Sequence, residues 1–277
     1  MYELYNKAKE LLHQQYQQNY EIVKSSDFHR AYVNEKIRHS LQVSGAGNGI
    51  LRNEAYFKNR SPEFLDIART AIILHDIFRF NEVKRWFLTG EKSDHGVEGA
   101  AMLKTIPTFN DIHITLSIKH HGHMVEKFYE DPEYTQINDS NLQKDIEHIH
   151  FAVRDADKIA NWQILTKEFE AMRLVWLPFP TDNSSSQGII CEKMWKNFCN
   201  EEVVSKEHIQ TNADELLSVL CWLFDINYEY SIKYCQRLNI FKCFFQLFEI
   251  IGTNKEQCRQ IENIVSNYIL KKFNIKI

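Results

Sequence analysis

Histidines and aspartates recur along this 277-residue chain at positions that suit a buried divalent-metal site. In chain order they are His39, the doublet His75-Asp76, His95, the pair His120-His121, and the two acids of Asp155-Ala156-Asp157. Imidazole nitrogens together with carboxylate oxygens suit Mn, Fe, Co or Zn, whereas oxygen ligands alone would favour Ca or Mg. No cysteine lies near these positions, which argues against a thiolate-bound structural zinc.

The His75-Asp76 doublet follows an apolar run, Ala71–Leu74, that predicts its position in the fold. Ser61 and Pro62 suit the N-cap and the first position of a helix, so the pattern predicts a helix over 62–77. An unpaired carboxylate and imidazole buried at the end of that helix would cost several kcal/mol. A metal ion is a partner that removes this cost.

Apolar residues recur with helical spacing and seldom alternate, so the predicted fold class is all-α. The predicted helices cover about 1–24, 30–44, 62–77, a stretch opened by Ser93-Asp94, 109–121, 143–172, and three or four segments after residue 188. Glycines at 45, 47 and 49 predict an end or a sharp bend after residue 44. Residues 81–93 are predicted as a connection, and 122–142 as a loop or lid beside the site.

Charge and hydropathy exclude some partners. The net charge of −4 is mild and Lys and Arg form no long run, so we expect no polynucleotide partner. The first residues lack the basic and apolar regions of a signal peptide, and no run of about 18 apolar residues occurs. We therefore expect a cytoplasmic protein that does not contact a membrane.

The segment 178–187, with two Pro and three Ser, predicts a connector between two domains. Residues 1–175 would hold the metal ligands and an N-terminal helix, and 188–277 would be a helical extension packed on them. Within the extension, 213–251 is strongly apolar, which fits core packing, the wall of a substrate pocket, or the surface of a homodimer. Core packing is the preferred interpretation.

Five segments carry a resemblance to a known family. They are Arg38–Val43, Leu74–Phe80, Asp94–Gly99, Ile118–His121 and Arg154–Ile159. With its order of His, His-Asp, His, His and Asp, the chain resembles the HD-domain superfamily of metal-dependent phosphohydrolases over about 30–165. The resemblance implies an HD-type helical bundle, here with additional C-terminal helices.

The resemblance also implies a ligand set. One metal would be bound by the first His, the doublet and the final Asp, which are His39, His75, Asp76 and Asp157. Helical phase leaves Asp155 and Asp157 open, since residues two apart point about 200° from each other. The family usually places a basic residue directly after the ligand, which favours Asp157, followed by Lys158.

Family members with two further histidines are more similar to this chain. There the two histidines bind a second metal bridged by the doublet Asp, or contact the substrate phosphate, which implies His95 and His121. His120 competes with His121, and the family's His-His run favours His121. The implied cofactor is one or two divalent ions per chain, drawn from Mn, Fe, Co, Zn and Mg.

The implied activity is hydrolysis of a nucleotide or another small phosphoester by a metal-activated water, as a phosphomonoesterase or phosphodiesterase. The catalytic residues implied are Asp76, His95, His121 and Lys158. Lys158 would neutralise charge on the phosphoryl oxygens, with Arg79 or Lys119 as helpers. HD-type mixed-valent diiron oxygenases share the same ligand order and are the alternative.

Overall fold

The computed structural model describes residues 2–170, 187–204 and 206–277, and this part of the chain contains helices and no strand. The all-α fold class is confirmed. The helices, numbered α1 to α15 in chain order, are Glu3–Val23, Asp27–Asn53, Ala55–Lys58, Pro62–Leu74, Arg79–Thr89, His95–Lys104, Ile112–Lys119, Glu126–Tyr129, Pro132–Thr135, Ser140–Glu170, Glu192–Cys199, Asn212–Leu220, Glu229–Arg237, Ile240–Ile250 and Lys255–Phe273.

The chain divides into two compact units, Met1–Ala160 and Asn161–Ile277, and α10 contributes residues to both. The predicted connector, 178–187, lies outside the described residues except for Gln187. The division into domains 1–175 and 188–277 therefore stays a prediction. None of the described helices combines the length and the apolar character needed to cross a bilayer.

Helix α4 lies at the centre of the first unit and packs against α1, α2 and α7. It begins as predicted, with the Ser61 side chain accepting the backbone N–H of Phe64. Residues 68–74 are buried without exception. The helix ends at Leu74, so His75-Asp76 lies in the turn that follows and not in the last helical turn. This turn places the doublet inside the unit.

Helix α2 continues through its three glycines, so an end of the helix after residue 44 was a wrong prediction. A Cβ atom at Gly47 would lie 2.7 Å from the side chain of Ile72 on α4. Each glycine weakens a helix by about 0.5–1 kcal/mol relative to alanine. Close packing of α2 on α4 offsets this cost, and Gly47 is the residue that permits the approach.

Two segments predicted as connections contain helices. Helix α5 occupies most of 81–93 and ends at Gly90, which has a left-handed φ of 77°. The segment 122–142 contains α8 and α9. Phe128 of α8 is buried against Leu116 and Ile146, so this segment is held on the core of the unit.

The second unit has its own apolar core. Trp162, Phe198 and Phe244 are among its fully buried side chains, and the Trp162 indole donates to the backbone carbonyl of Val219 at 3.1 Å. Many apolar side chains of 213–251 are buried in this core. Core packing therefore accounts for the apolar character of that stretch.

Candidate metal centre

Five elements of the first unit bring six of the predicted ligand side chains together. His39 lies on α2, His75 and Asp76 follow α4, His95 begins α6, His121 follows α7, and Asp157 lies on α10. We call these six side chains the His/Asp centre. His39, His75, Asp76 and His121 are each at most 5% exposed. The sequence separation is large, so tertiary packing assembles the centre.

One group of side chains faces the Oδ2 atom of Asp76. His39 Nε2 lies 2.9 Å from Asp157 Oδ1 and 3.9 Å from Asp76 Oδ2. His75 Nε2 lies 3.7 Å from Asp76 Oδ2 and 3.8 Å from Asp157 Oδ1. Two imidazole nitrogens and two carboxylate oxygens converge, which is a donor set for a first-row divalent ion.

A second group faces the other oxygen of Asp76. His95 Nε2 lies 3.1 Å and His121 Nε2 3.3 Å from Asp76 Oδ1, and the two nitrogens are 3.2 Å apart. Asp76 therefore directs one oxygen to each group. A carboxylate that does this is placed to bridge two ions. Both groups are compatible with a metal ion by their donor types and spacing.

The hydrogen bonds of two histidines test whether a cation fits. Nδ1 of His75 lies 2.9 Å from the carbonyl of Ile72, and Nδ1 of His121 lies 2.7 Å from the carbonyl of Ile118. A carbonyl only accepts, so each Nδ1 carries the hydrogen, and each Nε2 presents a lone pair when the imidazole is neutral. These lone pairs face carboxylate oxygens, and the buried His75 Nε2 has no hydrogen-bond partner. A cation between them satisfies both.

The ionisation states of His75 and the two aspartates also suit metal binding, whereas burial lowers the pKa of His121 and its hydrogen bond to Asp76 outweighs this and raises it. Burial lowers the pKa of His75 to about 4, so the imidazole is neutral near pH 7. Burial alone would raise the pKa of Asp76, but His75 and Arg79 outweigh it and hold this pKa well below its usual value. Burial likewise raises the pKa of Asp157, and its hydrogen bond with His39 shifts the net pKa downward. Neutral imidazole and ionised carboxylate are the forms that bind metal.

Comparison with protein families identifies the segment that carries the centre. The family model of the HD domain matches residues 37–162, which include all six side chains. Residues 37–162 are an HD domain. This confirms the resemblance seen in the sequence, and HD domains belong in general to a superfamily of metal-dependent phosphohydrolases. Comparison with curated proteins and with solved structures gave no match.

The HD domain structure also bears on the two choices that the sequence left open. Asp157 is the acid placed against His39, at 2.9 Å. His121 points to Asp76, whereas Nε2 of His120 lies 2.6 Å from Asp131. The geometry therefore favours Asp157 and His121, and their function as ligands stays a prediction.

The three predicted cationic helpers have different surroundings. Arg79 Nε lies 3.5 Å from Asp76 Oδ1, at the edge of the centre. Lys119 pairs with Asp131 at 2.7 Å and with Glu133 at 3.0 Å, which commits its charge to those carboxylates. Lys158 is buried on α10 directly after Asp157. Of Arg79 and Lys119, Arg79 is therefore the one whose guanidinium lies against Asp76.

Arg154 is a positioning residue of the HD domain that the sequence analysis did not single out. Its Nη1 donates to the backbone carbonyls of His120, His121 and His123 at 3.2, 3.0 and 2.6 Å. The turn that carries His121 is thus held on α10, three residues before Asp157. Arg154 is the first residue of the family-like segment Arg154–Ile159, but the sequence of that segment does not predict which groups the guanidinium contacts.

Replacing Arg154 by methionine is expected to weaken metal binding by about 10- to 100-fold, as loss of groups that orient metal ligands does. The buried carbonyls left without a donor should lower the free energy of unfolding by about 1–3 kcal/mol. Metal titration and urea unfolding measure the two effects. Arg154→Lys is the matched control and should recover part of both, because the ammonium group still donates. Wild-type metal affinity in Arg154→Met would contradict the role.

Proposed function

We propose that the HD domain is a metal-dependent phosphohydrolase that acts on a nucleotide or another small phosphoester. The proposal rests mainly on the position of the Asp76 carboxylate, whose two oxygens face two separate groups of imidazoles. The family supports hydrolysis in general. The substrate class rests on the Arg79 guanidinium beside the centre and on aromatic side chains two helical turns away from it.

Divalent ions held by the His/Asp centre would polarise a phosphoryl oxygen and increase the acidity of a water nucleophile. The chain itself supplies positioning and charge. Asp76 contacts both groups of the His/Asp centre and so sets the distance between them. The Arg79 guanidinium beside it can neutralise charge that develops on a phosphoryl oxygen. Glu82 binds Arg79 Nη1 at 2.7 Å and fixes its direction. Lys158 is the second proposed cation for that role.

Aromatic rings lie two helical turns from the centre and support a substrate with a flat ring. Tyr32 precedes His39 by seven residues on α2, and Trp86 follows Arg79 by seven residues on α5. Seven residues bring side chains to the same face of a helix, about 10.5 Å apart along its axis. The ring centroids of Tyr32 and Trp86 are 6.0 Å apart. Helices α2 and α5 therefore both run from the His/Asp centre to this pair of rings.

This aromatic cluster is large and partly exposed. Phe28 and His29 form T-shaped pairs with Trp86 at centroid distances of 5.3 and 5.0 Å, and Lys92 Nζ lies 4.7 Å from the centroid of the Trp86 ring. Phe28 is 59% exposed. Exposed aromatic rings stack on nucleobases without reading their sequence. A phosphoester with its phosphate at Arg79 could therefore place a base on this cluster.

We expect Trp86→Ala to raise KM for nucleotide substrates by about tenfold or more, given the 1–3 kcal/mol that stacking on one base contributes. An alkyl phosphate without a ring should keep its KM, because it does not reach the cluster. Steady-state kinetics on the two substrates measure the ratio. Trp86→Phe is the control that retains a ring, and an equal KM increase for both substrates would count against the aromatic subsite.

The proposed function is tested by elemental analysis of protein purified without chelators, together with phosphate release from a panel of nucleotides and a generic phosphodiester. One or two equivalents of Mn, Fe, Co, Zn or Mg per chain and release of phosphate would support the hydrolase. Absence of metal from every preparation, or metal without any hydrolysis across the panel, would contradict it.

A diiron oxygenase is a second candidate because the centre offers four imidazoles and two carboxylates, a nitrogen-rich set that suits iron. This alternative predicts two equivalents of iron, oxygen consumption, and the electron-spin signal of a mixed-valent pair. Phosphate release without oxygen consumption excludes it.

A further inference from the structure

Two other histidines of the first unit face each other outside the His/Asp centre. Nδ1 of His120 lies 3.1 Å from Nδ1 of His123, in the turn after α7. His120 is buried, and the His123 side chain is 23% exposed. The proposed hydrolase uses neither imidazole. The partners of the other ring nitrogen, Nε2, in each imidazole indicate where the hydrogens of the two rings lie.

The outer nitrogen of His120 is a donor. Its Nε2 lies 2.6 Å from Oδ2 of the buried Asp131. Asp131 also accepts from Lys119 Nζ at 2.7 Å and from the backbone N–H of Glu133 at 2.8 Å. A carboxylate surrounded by these donors is an acceptor, so Nε2 of His120 carries the hydrogen. In the neutral imidazole, Nδ1 of His120 then presents a lone pair.

The outer nitrogen of His123 is a donor for the same reason. Its Nε2 lies 2.8 Å from Oδ2 of Asp94, whose Oδ1 accepts the backbone N–H of Val97. Each imidazole is therefore held by a carboxylate that fixes its tautomer, an arrangement found around metal-binding histidines. When both imidazoles are neutral, their Nδ1 lone pairs therefore face each other at 3.1 Å. Either a proton on one of the two nitrogens or a metal ion between them satisfies this contact.

The spacing fits one ion. With metal–nitrogen distances of about 2.0–2.1 Å and tetrahedral angles, two ligand nitrogens lie about 3.3 Å apart. The separation of His120 and His123 nearly equals the 3.2 Å between His95 and His121 in the His/Asp centre. The same local geometry thus occurs at two places in the unit, and only one of them belongs to the predicted ligand set.

We propose that His120 and His123 form an additional site for a divalent transition-metal ion, oriented by Asp131 and Asp94. Imidazole ligands select Zn, Co, Ni or Cu over Mg and Mn. Two protein ligands leave coordination positions open to water or an anion. Because His121 lies between the two ligands in sequence, an ion here also fixes the turn that carries a member of the His/Asp centre. The site does not depend on the proposed hydrolase activity.

The test is a calorimetric titration with Zn²⁺ and with Co²⁺ of metal-stripped wild type, His123→Asn, His75→Ala and the double variant. We expect His123→Asn to lose one equivalent that wild type binds. His75→Ala should lose ions of the His/Asp centre and retain the equivalent that depends on His123. The double variant should lose both. Mg²⁺ binding should be the same in wild type and His123→Asn.

His113→Asn is the matched control, since His113 Nδ1 also contacts a carboxylate, Asp111, at 2.9 Å. It should bind as wild type does. Asp131→Asn keeps both imidazoles and should weaken the additional site by about 10- to 100-fold. If circular dichroism shows that His123→Asn is unfolded, the metal affinity of Asp131→Asn tests the additional site in its place. Equal stoichiometry and affinity in wild type, His123→Asn and Asp131→Asn would overturn the proposal. If wild type and His75→Ala bound the same number of ions, so that only the His123-dependent equivalent was present, the proposed function would be contradicted instead.

Discussion

Asp76→Ala is expected to abolish metal-dependent activity, with a decrease in kcat/KM of about 1,000-fold or more. The estimate follows because metal stabilisation of a transition state amounts to several kcal/mol, and 1.36 kcal/mol corresponds to a factor of ten in rate. Both groups of the His/Asp centre lose an oxygen in this variant, since each oxygen of Asp76 faces one of them. Elemental analysis should show that the metal content falls together with the activity.

Stability provides a second readout of the same change. A ligand at 100 times its Kd stabilises the folded state by about 2.7 kcal/mol. Addition of a chelator should therefore lower the Tm of the metal-loaded wild type by more than the Tm of Asp76→Ala, which has lost the ions of the His/Asp centre. The expected difference does not require knowledge of the substrate.

Asp66→Ala is the matched control for Asp76→Ala. Asp66 is a buried aspartate of α4 that accepts the backbone N–H groups of Leu4 and Tyr5 at 3.0 and 3.1 Å. Its loss should lower stability while metal content and activity per folded molecule are retained. If Asp76→Ala kept wild-type metal content and activity, Asp76 would not bridge ions, and the proposed function would lose its main support.

Gly96→Ala is expected to lower the free energy of unfolding by about 1–3 kcal/mol, the usual cost of overpacking. A Cβ at Gly96 would lie 2.7 Å from the backbone carbonyl oxygen of Lys119 and 3.4 Å from Nδ1 of His121. Helix α6, which begins with His95, would have to move away from α7, and His95 would separate from His121. We therefore expect weaker metal binding as well, measured by titration alongside urea unfolding.

Gly45→Ala is the control for this variant. The position is inside α2, and no atom lies within 4 Å of the added Cβ. Alanine is a better helix former than glycine by about 0.5–1 kcal/mol, so Gly45→Ala should be slightly more stable than wild type with unchanged metal binding. Gly96→Ala with the stability and metal affinity of wild type would show that close approach of α6 and α7 does not position the two histidines.

Local sequence was sufficient for the fold class and for most helix starts. Ser61 with Pro62 and Asp94 cap their helices as predicted, because a cap depends on a few adjacent residues. The His, His-Asp, His, His, Asp order was sufficient for the HD domain, since metal chemistry restricts which residue types serve as ligands. The roles of Lys158 and of the whole ligand set remain predictions.

Where the sequence prediction was wrong, packing between distant segments outweighed a local signal. Three glycines predicted a break in α2, but Gly47 allows contact with Ile72, and the helix continues to Asn53. The segment 122–142 reads as a loop from its polar composition, yet burial of Phe128 holds it on the core. The residues around Gly47 and Phe128 do not predict these contacts, because the contacted side chains belong to other segments of the chain.

The sequence by itself determined that this is an all-α protein with an HD domain and supplied its imidazoles and carboxylates. Only the tertiary structure decided how they are used: which oxygen of Asp76 faces which histidines, that Arg154 holds the turn of His121, and that His120 turns to Asp131. Adjacent residues such as His120 and His121 have the same chemistry. Their environments differ because the backbone directs neighbouring side chains to different partners, and those partners come from other helices.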